Sequence, residues 1–310
     1  MGDTLMTETA IRNYKKSLNK EDELIVVVGP EGYNTIFDTN PYIDHVIKAS
    51  YDQLNLLNHK YYLPGLNEYK TKSGEKEYAC RLDCGKAFSW TLQHPSVRIL
   101  DEKAITFPPH MALGFCDQLK TSIDELKYNI YLTDQEIEEG REYLSSKYKK
   151  PVILVGAISR SCTSREGRPP NKMVSEKVWS RVIEDLSADF DLIFLGAKNE
   201  EPLDLNVEWL MGMPIRKVAA LCRAAELVIS IDGGISHLTG AADGNLLLIN
   251  AAVITTMICP TTNGKLGLID KSLFSSSREK GISSVSSKEI IAEARSLVEK
   301  PAGWKVYIPR

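Results

Sequence analysis

The chain has 310 residues, 43% of them apolar and 25% charged, an ordinary globular composition that argues against long disorder. At about 100–200 residues per domain, this length points to two domains with room for two buried cores. Lysine and arginine number 38 against 41 aspartates and glutamates, a net charge of -3, which argues against a protein held to nucleic acid by bulk positive charge.

The chain opens Met1-Gly2-Asp3-Thr4 and passes straight into a predicted helix over Thr4–Leu18, with apolar residues at Leu5, Ala10, Ile11 and Tyr14. Leu24–Val28 is a continuous apolar, β-branched run ending in Gly29-Pro30, which predicts a buried parallel strand. Asn34–Phe37 predicts a short helix broken at Asn40-Pro41, and His45-Val46-Ile47 a short strand. Residues 50–95 set Tyr51, Tyr61, Tyr69, Tyr78, Phe88 and Trp90 among lysines with weak periodicity, and predict an irregular or helical insertion. Met111–Leu119 and Asp134–Tyr148 predict helices, the second capped by Thr133 with acids in its first turn.

Lys149-Lys150-Pro151 reads as a linker, after which strands and helices alternate. Val152–Val155, Leu192–Leu195, Leu227–Ile231 and Leu246–Ile249 predict strands; Ser175–Leu186, Ile215–Ala225, Gly234–Ala242 and Lys288–Glu299 predict helices. Such alternation implies a parallel sheet with helices on both faces. The whole chain therefore predicts an α/β fold of two Rossmann-like domains facing across a cleft. Their expected bounds are 1–149 and 150–285, with a helix and tail at 286–310 returning to the N-terminal domain.

Six cysteines at 80, 84, 116, 162, 222 and 259 form no CxxC pair. Free, packed thiols in a reducing, cytoplasmic compartment fit that usage better than disulfides or a metal site at Cys80 and Cys84. No window of about 18 apolar residues and no signal-peptide pattern occur, so any membrane work is expected from the surface, in a peripheral role.

The most informative stretch is Leu227-Val-Ile-Ser-Ile-Asp232-Gly233-Gly234-Ile235-Ser236-His237-Leu238. A buried strand ends in a carboxylate, turns through two glycines and feeds a helix. The first backbone N–H groups of a helix lack intrahelical partners and carry the positive end of its dipole, so they suit a phosphate. Glycine lets backbone approach that phosphate without a Cβ in the way. Ser236 and His237 sit on the first turn, within reach of the same ligand. A Gly-Gly turn with a first-turn serine is also plain turn and cap chemistry, and the residues alone leave both readings open.

This segment resembles the sugar-nucleotide signature of glycosyltransferase family 9, the ADP-heptose:lipopolysaccharide heptosyltransferases: an apolar strand, Asp, a small residue, Gly, an apolar residue and Ser-His-Leu. Gly233 stands where Thr or Ser is more usual, removing a hydroxyl. Lys172-Met173-Val174-Ser175-Glu176-Lys177-Val178-Trp179 is similar to the family's Lys-x-Trp-Pro-x-x-x-Trp stretch, with Val174 replacing the first Trp. Phe194-Leu195-Gly196-Ala197-Lys198-Asn199-Glu200-Glu201 is similar to its strand–Gly–x–x–x–Glu segment. Gly2-Asp3-Thr4-Leu5-Met6-Thr7-Glu8-Thr9 resembles its Gly-Asp opening, and Asn40-Pro41-Tyr42-Ile43-Asp44-His45-Val46-Ile47 its Asn-Pro-Tyr-Val-Asp-x-Val-Ile run.

The resemblance implies a GT-B fold and an inverting, metal-independent transfer of a sugar, heptose by default, from a nucleoside-diphosphate donor to an acceptor hydroxyl. It makes Asp3 the general base and Lys172 the group that neutralises the donor diphosphate. Glu200 or Glu201 would hold the nucleoside, and the backbone of Met213 would meet the adenine. Ser159, Asp232, Gly233, Gly234, Ser236 and His237 complete the implied donor site. No cofactor or metal is implied. An acid in a first helical turn is also an ordinary cap, and a loop lysine is ordinarily solvated.

Residues 50–95 depart most from the family pattern, which leaves the acceptor open. Seven Lys and Arg against five acids between 45 and 90 suit an anionic glycan; a nucleic-acid or protein acceptor, and a non-catalytic nucleotide-sugar-binding protein, are the alternatives. The family also places a strand ahead of Gly-Asp, and Trp304-Lys305-Val306-Tyr307-Ile308-Pro309-Arg310 reads like that segment. It is expected to supply the strand to the N-terminal sheet.

Overall fold

The computed structural model describes the chain apart from residues 30–33, 51, 54–66, 71–75, 80–81, 95, 101–102, 159–172, 251–254, 272–283 and 307–310. It forms two compact units, Asp3–Tyr131 at the N-terminal side and Leu132–Ile308, with Met1–Gly2, at the C-terminal side.

In the N-terminal unit, helix α1 (Gly2–Ser17) buries Leu5, Met6, Ala10 and Ile11, the apolar positions of its helical pattern. β1 (Ile25–Val28) and β2 (His45–Lys48) pair in parallel, with Val27 opposite Ile47. The expectation that 24–28 is buried on both faces is corrected. Ile25 is 51% and Ile47 49% exposed, because this sheet has two strands among the described residues and one face stays open. Residues 34–39 form turns rather than the expected helix. The chain reaches the Asn40-Pro41 bond there, and a proline disfavours helical backbone before it.

Among the described residues of the 50–95 region, where an irregular or helical insertion was expected, a hairpin precedes a helix. β3 (Asn67–Lys70) and β4 (Lys76–Ala79) make an antiparallel hairpin, followed by α2 (Cys84–Gln93), whose N-cap Asp83 accepts from the backbone of Lys86. A second hairpin pairs β5 (Ser96–Leu100) with β6 (Lys103–Phe107). α3 (Met111–Gln118) closes the unit, capped by His110.

The C-terminal unit begins with α4 (Asp134–Lys147), opened by a Thr133–Glu136 capping box. The division between units falls ahead of α4 and not at Lys149-Lys150-Pro151, since α4 packs along α6 (Ile215–Ala224). Six parallel strands then make one sheet: β7 (Val152–Gly156), β8 (Asp191–Gly196), β9 (Glu208–Met211), β10 (Leu227–Ile231), β11 (Leu246–Asn250) and β12 (Leu266–Asp270). Their order is β12-β11-β10-β7-β8-β9, so the chain winds outward from β7 in both directions, the doubly wound Rossmann order.

Every residue of β7, β10 and β11 is buried, as strands covered on both faces must be. On one face, α5 (Glu176–Leu186) and α9 (Ser287–Glu299) bring Trp179, Val182, Ile290 and Leu297 onto Val155, Phe194 and Ile229. α7 (Gly234–Ala241) packs on β10 and β11 and against α6. α8 (Thr255–Ile258) is a single short turn of helix.

The described part of the tail, which was expected to pair with the N-terminal sheet, pairs elsewhere. α9 joins the core of the C-terminal sheet, and Lys305 bridges in parallel to Leu266, with Val306 N–H donating to Leu266 O at 2.9 Å. β12 is an edge strand whose free backbone groups offer that pairing. Residues 304–306 thus extend the C-terminal sheet and not the N-terminal one; residues 307–310 lie outside the described part.

Candidate functional site

β10 reaches the carboxyl end of the sheet at Ile231, and the ladder runs one residue further, with Asp232 N–H donating to Ile249 O at 3.1 Å. Gly233 follows in extended backbone, and α7 starts at Gly234. The Ser236 hydroxyl closes this turn: it accepts from Gly233 N–H at 3.2 Å and donates to Gly233 O at 2.7 Å. Ser236 is fully buried, so its hydroxyl holds the loop rather than standing open to a ligand. His237 is 4% exposed, and its Nε2 lies 3.8 Å from Asp232 Oδ1. Strand end, turn and first helical turn are therefore joined by their own bonds, and at the α7 start Met1 lies against Gly234 and Gly2 against His237.

The place of this turn in the topology matters as much as its geometry. From β7 the chain departs toward β8, and from β10 toward β11, so these neighbouring strands flank the switch point of the sheet. Open α/β sheets bind ligands in the crevice outside the carboxyl ends at such a point. Gly156 ends β7 there. A Cβ on it would sit 2.6 Å from Ser230 Oγ and 2.9 Å from Ile235 Cγ2, so only glycine lets β7, β10 and the start of α7 close up.

The neighbouring strand ends carry the other expected residues. After β8, Glu200 folds back so that its Oε2 accepts from Ala197 N–H at 2.7 Å, while Glu201 is exposed. After β9, Gly212 takes φ +65°, a conformation that favours glycine, and its N–H donates to Gly196 O at 2.9 Å. Half-buried Met213 comes next, then Pro214 and α6. The loops holding Glu200 and Met213 are thus tied to each other, and Asp232, Gly233, Gly234, Ser236 and His237 share one turn. Ser159 and Lys172 lie outside the described residues. β9 itself went unpredicted, although Val207-Glu208-Trp209-Leu210-Met211 between Asp204 and Gly212 carries a strand signal.

In the N-terminal unit, Asp3 is exposed on the first turn of α1. One turn on, Glu8 is a carboxyl group with no exposure at all. Asn129 N–H donates to it at 3.1 Å and the Tyr131 hydroxyl at 3.2 Å, with Arg12 Nε 3.7 Å away. Burial pushes the Glu8 pKa up to about 7, against the downward pull of Arg12 and those hydrogen bonds. An acid and a base four apart on the apolar face of α1 are the sequence signal for this pair, which the motif reading passed over.

Among the described residues, no three His, Cys, Asp or Glu side chains come together to hold a metal ion, and no helix is long and apolar enough to cross a membrane.

Solved structures share this architecture. The glycosyl transferase family 9 structure from Veillonella parvula DSM 2008 superposes with a TM-score of 0.65 at 14% identity, covering 96% of this chain and 94% of that one. The chain has the fold of a family 9 glycosyltransferase. E. coli ADP-heptose lps heptosyltransferase II gives a TM-score of 0.65 at 12% identity, over 96% of this chain and 95% of that one. E. coli heptosyltransferase WaaC with ADP gives 0.57 at 14%, over 96% of both chains. The family 9 fold therefore runs through both units. No family model matches the chain, and no curated protein matches its sequence.

Proposed function

We propose that the protein is a glycosyltransferase that moves a sugar, heptose by default, from a nucleoside-diphosphate donor to an acceptor hydroxyl. The observation that carries this reading is the Asp232–His237 turn, a glycine-rich helix start at the switch point of a doubly wound sheet. The structural neighbour WaaC, solved with ADP, supports the choice of ligand.

In this reading the two units are Rossmann-like domains of a GT-B enzyme, with the donor on the C-terminal side of the cleft and the acceptor on the N-terminal side. The N–H groups of Gly234 and Ile235 and the α7 dipole receive the diphosphate, and Lys172 neutralises it. Glu200, folded against the end of β8, is better placed than Glu201 to hold the nucleoside, and the Met213 backbone meets the base. The acceptor oxygen attacks the anomeric carbon as the bond from that carbon to the diphosphate oxygen breaks. The electron pair leaves on the diphosphate, the acceptor proton passes to Asp3, and the configuration inverts in a single displacement. No metal enters these steps.

A thermal-shift panel of nucleotides and nucleotide sugars, followed by an acceptor screen with mass detection, tests the reading. Asp3→Ala is expected to lower transfer by about 100-fold or more while donor binding stays. A flat nucleotide panel would overturn it. A parallel sheet of two strands among the described N-terminal residues favours a second reading, a nucleotide-sugar-binding protein without transfer activity. Wild-type protein that binds donor and turns none over with any acceptor would establish that one.

A further inference from the structure

The start of α6 has an unusual support. Its N-cap is Pro214, whose side chain makes no capping bond, so the helix start and the Met213 loop before it lack the usual fastening. Two residues into α6, the Arg216 guanidinium grips Glu136 of α4 with two parallel bonds, Nε to Oε1 and Nη2 to Oε2, each 2.6 Å. That carboxylate is itself fixed by Thr133, which donates its N–H at 2.8 Å and its hydroxyl at 3.1 Å. The Arg216 guanidinium is the main influence holding the Glu136 carboxyl below its ordinary pKa, with the Thr133 N–H adding to it.

One turn along both helices, a Cβ on Gly140 would come 2.8 Å from the Ala220 carbonyl. Glu136 faces Arg216 and Gly140 faces Ala220, four residues apart in the same sense, so α4 and α6 run side by side in one direction. Both helix starts therefore lie at the carboxyl end of the sheet, where β9 delivers Met213. On its other side the loop is tied to β8 by the bond from Gly212 to Gly196.

We infer that Arg216 and Glu136 are positioning residues for nucleoside recognition: their ion pair sets the 212–214 loop against the base of the bound nucleotide. The inference rests on the donor-binding reading above. The pair sits at the start of α6, directly after the 212–214 loop, so loosening it is expected to act first on the base end of the ligand.

The test is calorimetric titration of the full chain with ADP and with inorganic pyrophosphate. Arg216→Ala and Glu136→Gln are each expected to weaken ADP binding by about tenfold, and the double variant no further, since the two act as one unit. Arg216→Lys, which keeps the charge and loses the two-pronged geometry, restores part of the affinity. Pyrophosphate affinity stays at the wild-type level in all of them. ADP binding that is unchanged in the variants, or ADP and pyrophosphate affinities that fall together, would overturn the inference and leave donor binding standing. Should Arg216→Ala fail to fold, Arg216→Lys and Glu136→Gln give the same comparison. Wild-type protein that binds no ADP overturns the donor-binding reading itself.

Discussion

The two units hold together by different means. The C-terminal unit has a six-stranded parallel sheet whose β7, β10 and β11 are buried end to end, covered by apolar helices. Among the described residues the N-terminal unit has a two-stranded parallel sheet with apolar residues in solvent, and along α1 it buries Glu8, Thr9, Arg12 and Asn13. Apolar burial is additive and independent of pH. A buried polar network is conditional: each member depends on its partner staying in place and in the right charge state. A C-terminal core indifferent to pH and an N-terminal one sensitive to it follow from that contrast.

The largest expected effect lies in the C-terminal core. Trp179 is fully buried and meets Phe194 edge-on at 5.8 Å and 82°, so Trp179→Ala should cost about 3–5 kcal/mol in urea unfolding. A loss under about 1 kcal/mol would mean the sheet does not depend on this apolar packing.

Next comes the buried pair in α1. Glu8 binds its proton in the folded state up to about pH 7, against an ordinary value of 4.5. Between those values the folded chain holds a proton that the unfolded chain has released, so stability falls as pH rises through that window. The difference corresponds to about 3 kcal/mol. Urea unfolding followed from pH 5 to pH 8 should show the decline, and Glu8→Gln should flatten it. Arg12→Met should cost about 3 kcal/mol at pH 8, where it leaves a buried carboxylate uncompensated, and less at pH 5. A penalty that is the same at both values would remove the distinction between the units.

The smallest effect is expected on the open face of the N-terminal sheet. Ile47→Ala should change stability by less than about 0.5 kcal/mol, because Ile47 is half in solvent already. A cost comparable with that of Trp179→Ala would show that this face is covered in solution.

What could be read from sequence follows the same division. The central strands β7, β8, β10 and β11 were legible because burial on both faces writes a continuous apolar run into the chain. The edge strands β9 and β12 were not: β9 is half-buried with Glu208 at its start, and β12 carries Gly267 and ends in Asp270. In 50–95 the hairpin strands Asn67–Lys70 and Lys76–Ala79 are polar or aromatic, so no two-residue alternation announced them. The Asp232–His237 turn was visible because all its parts are adjacent in the chain. The fold-back of Glu200 onto Ala197 could not be read from the sequence. The Arg216–Glu136 pair needed a helix crossing that joins residues 80 positions apart.

The central claim is that the β10–α7 turn receives a nucleoside diphosphate. Gly233 has extended backbone, φ 175°, which valine also adopts, so Gly233→Val is expected to keep the fold, as an unchanged circular dichroism spectrum would check, and to crowd the turn with a branched side chain. Titrated with ADP, wild-type protein should show saturable binding, with stability raised by about 2.7 kcal/mol at a hundredfold excess over Kd, and the Gly233→Val protein should show none. Equal binding by both proteins, or by neither, would contradict it.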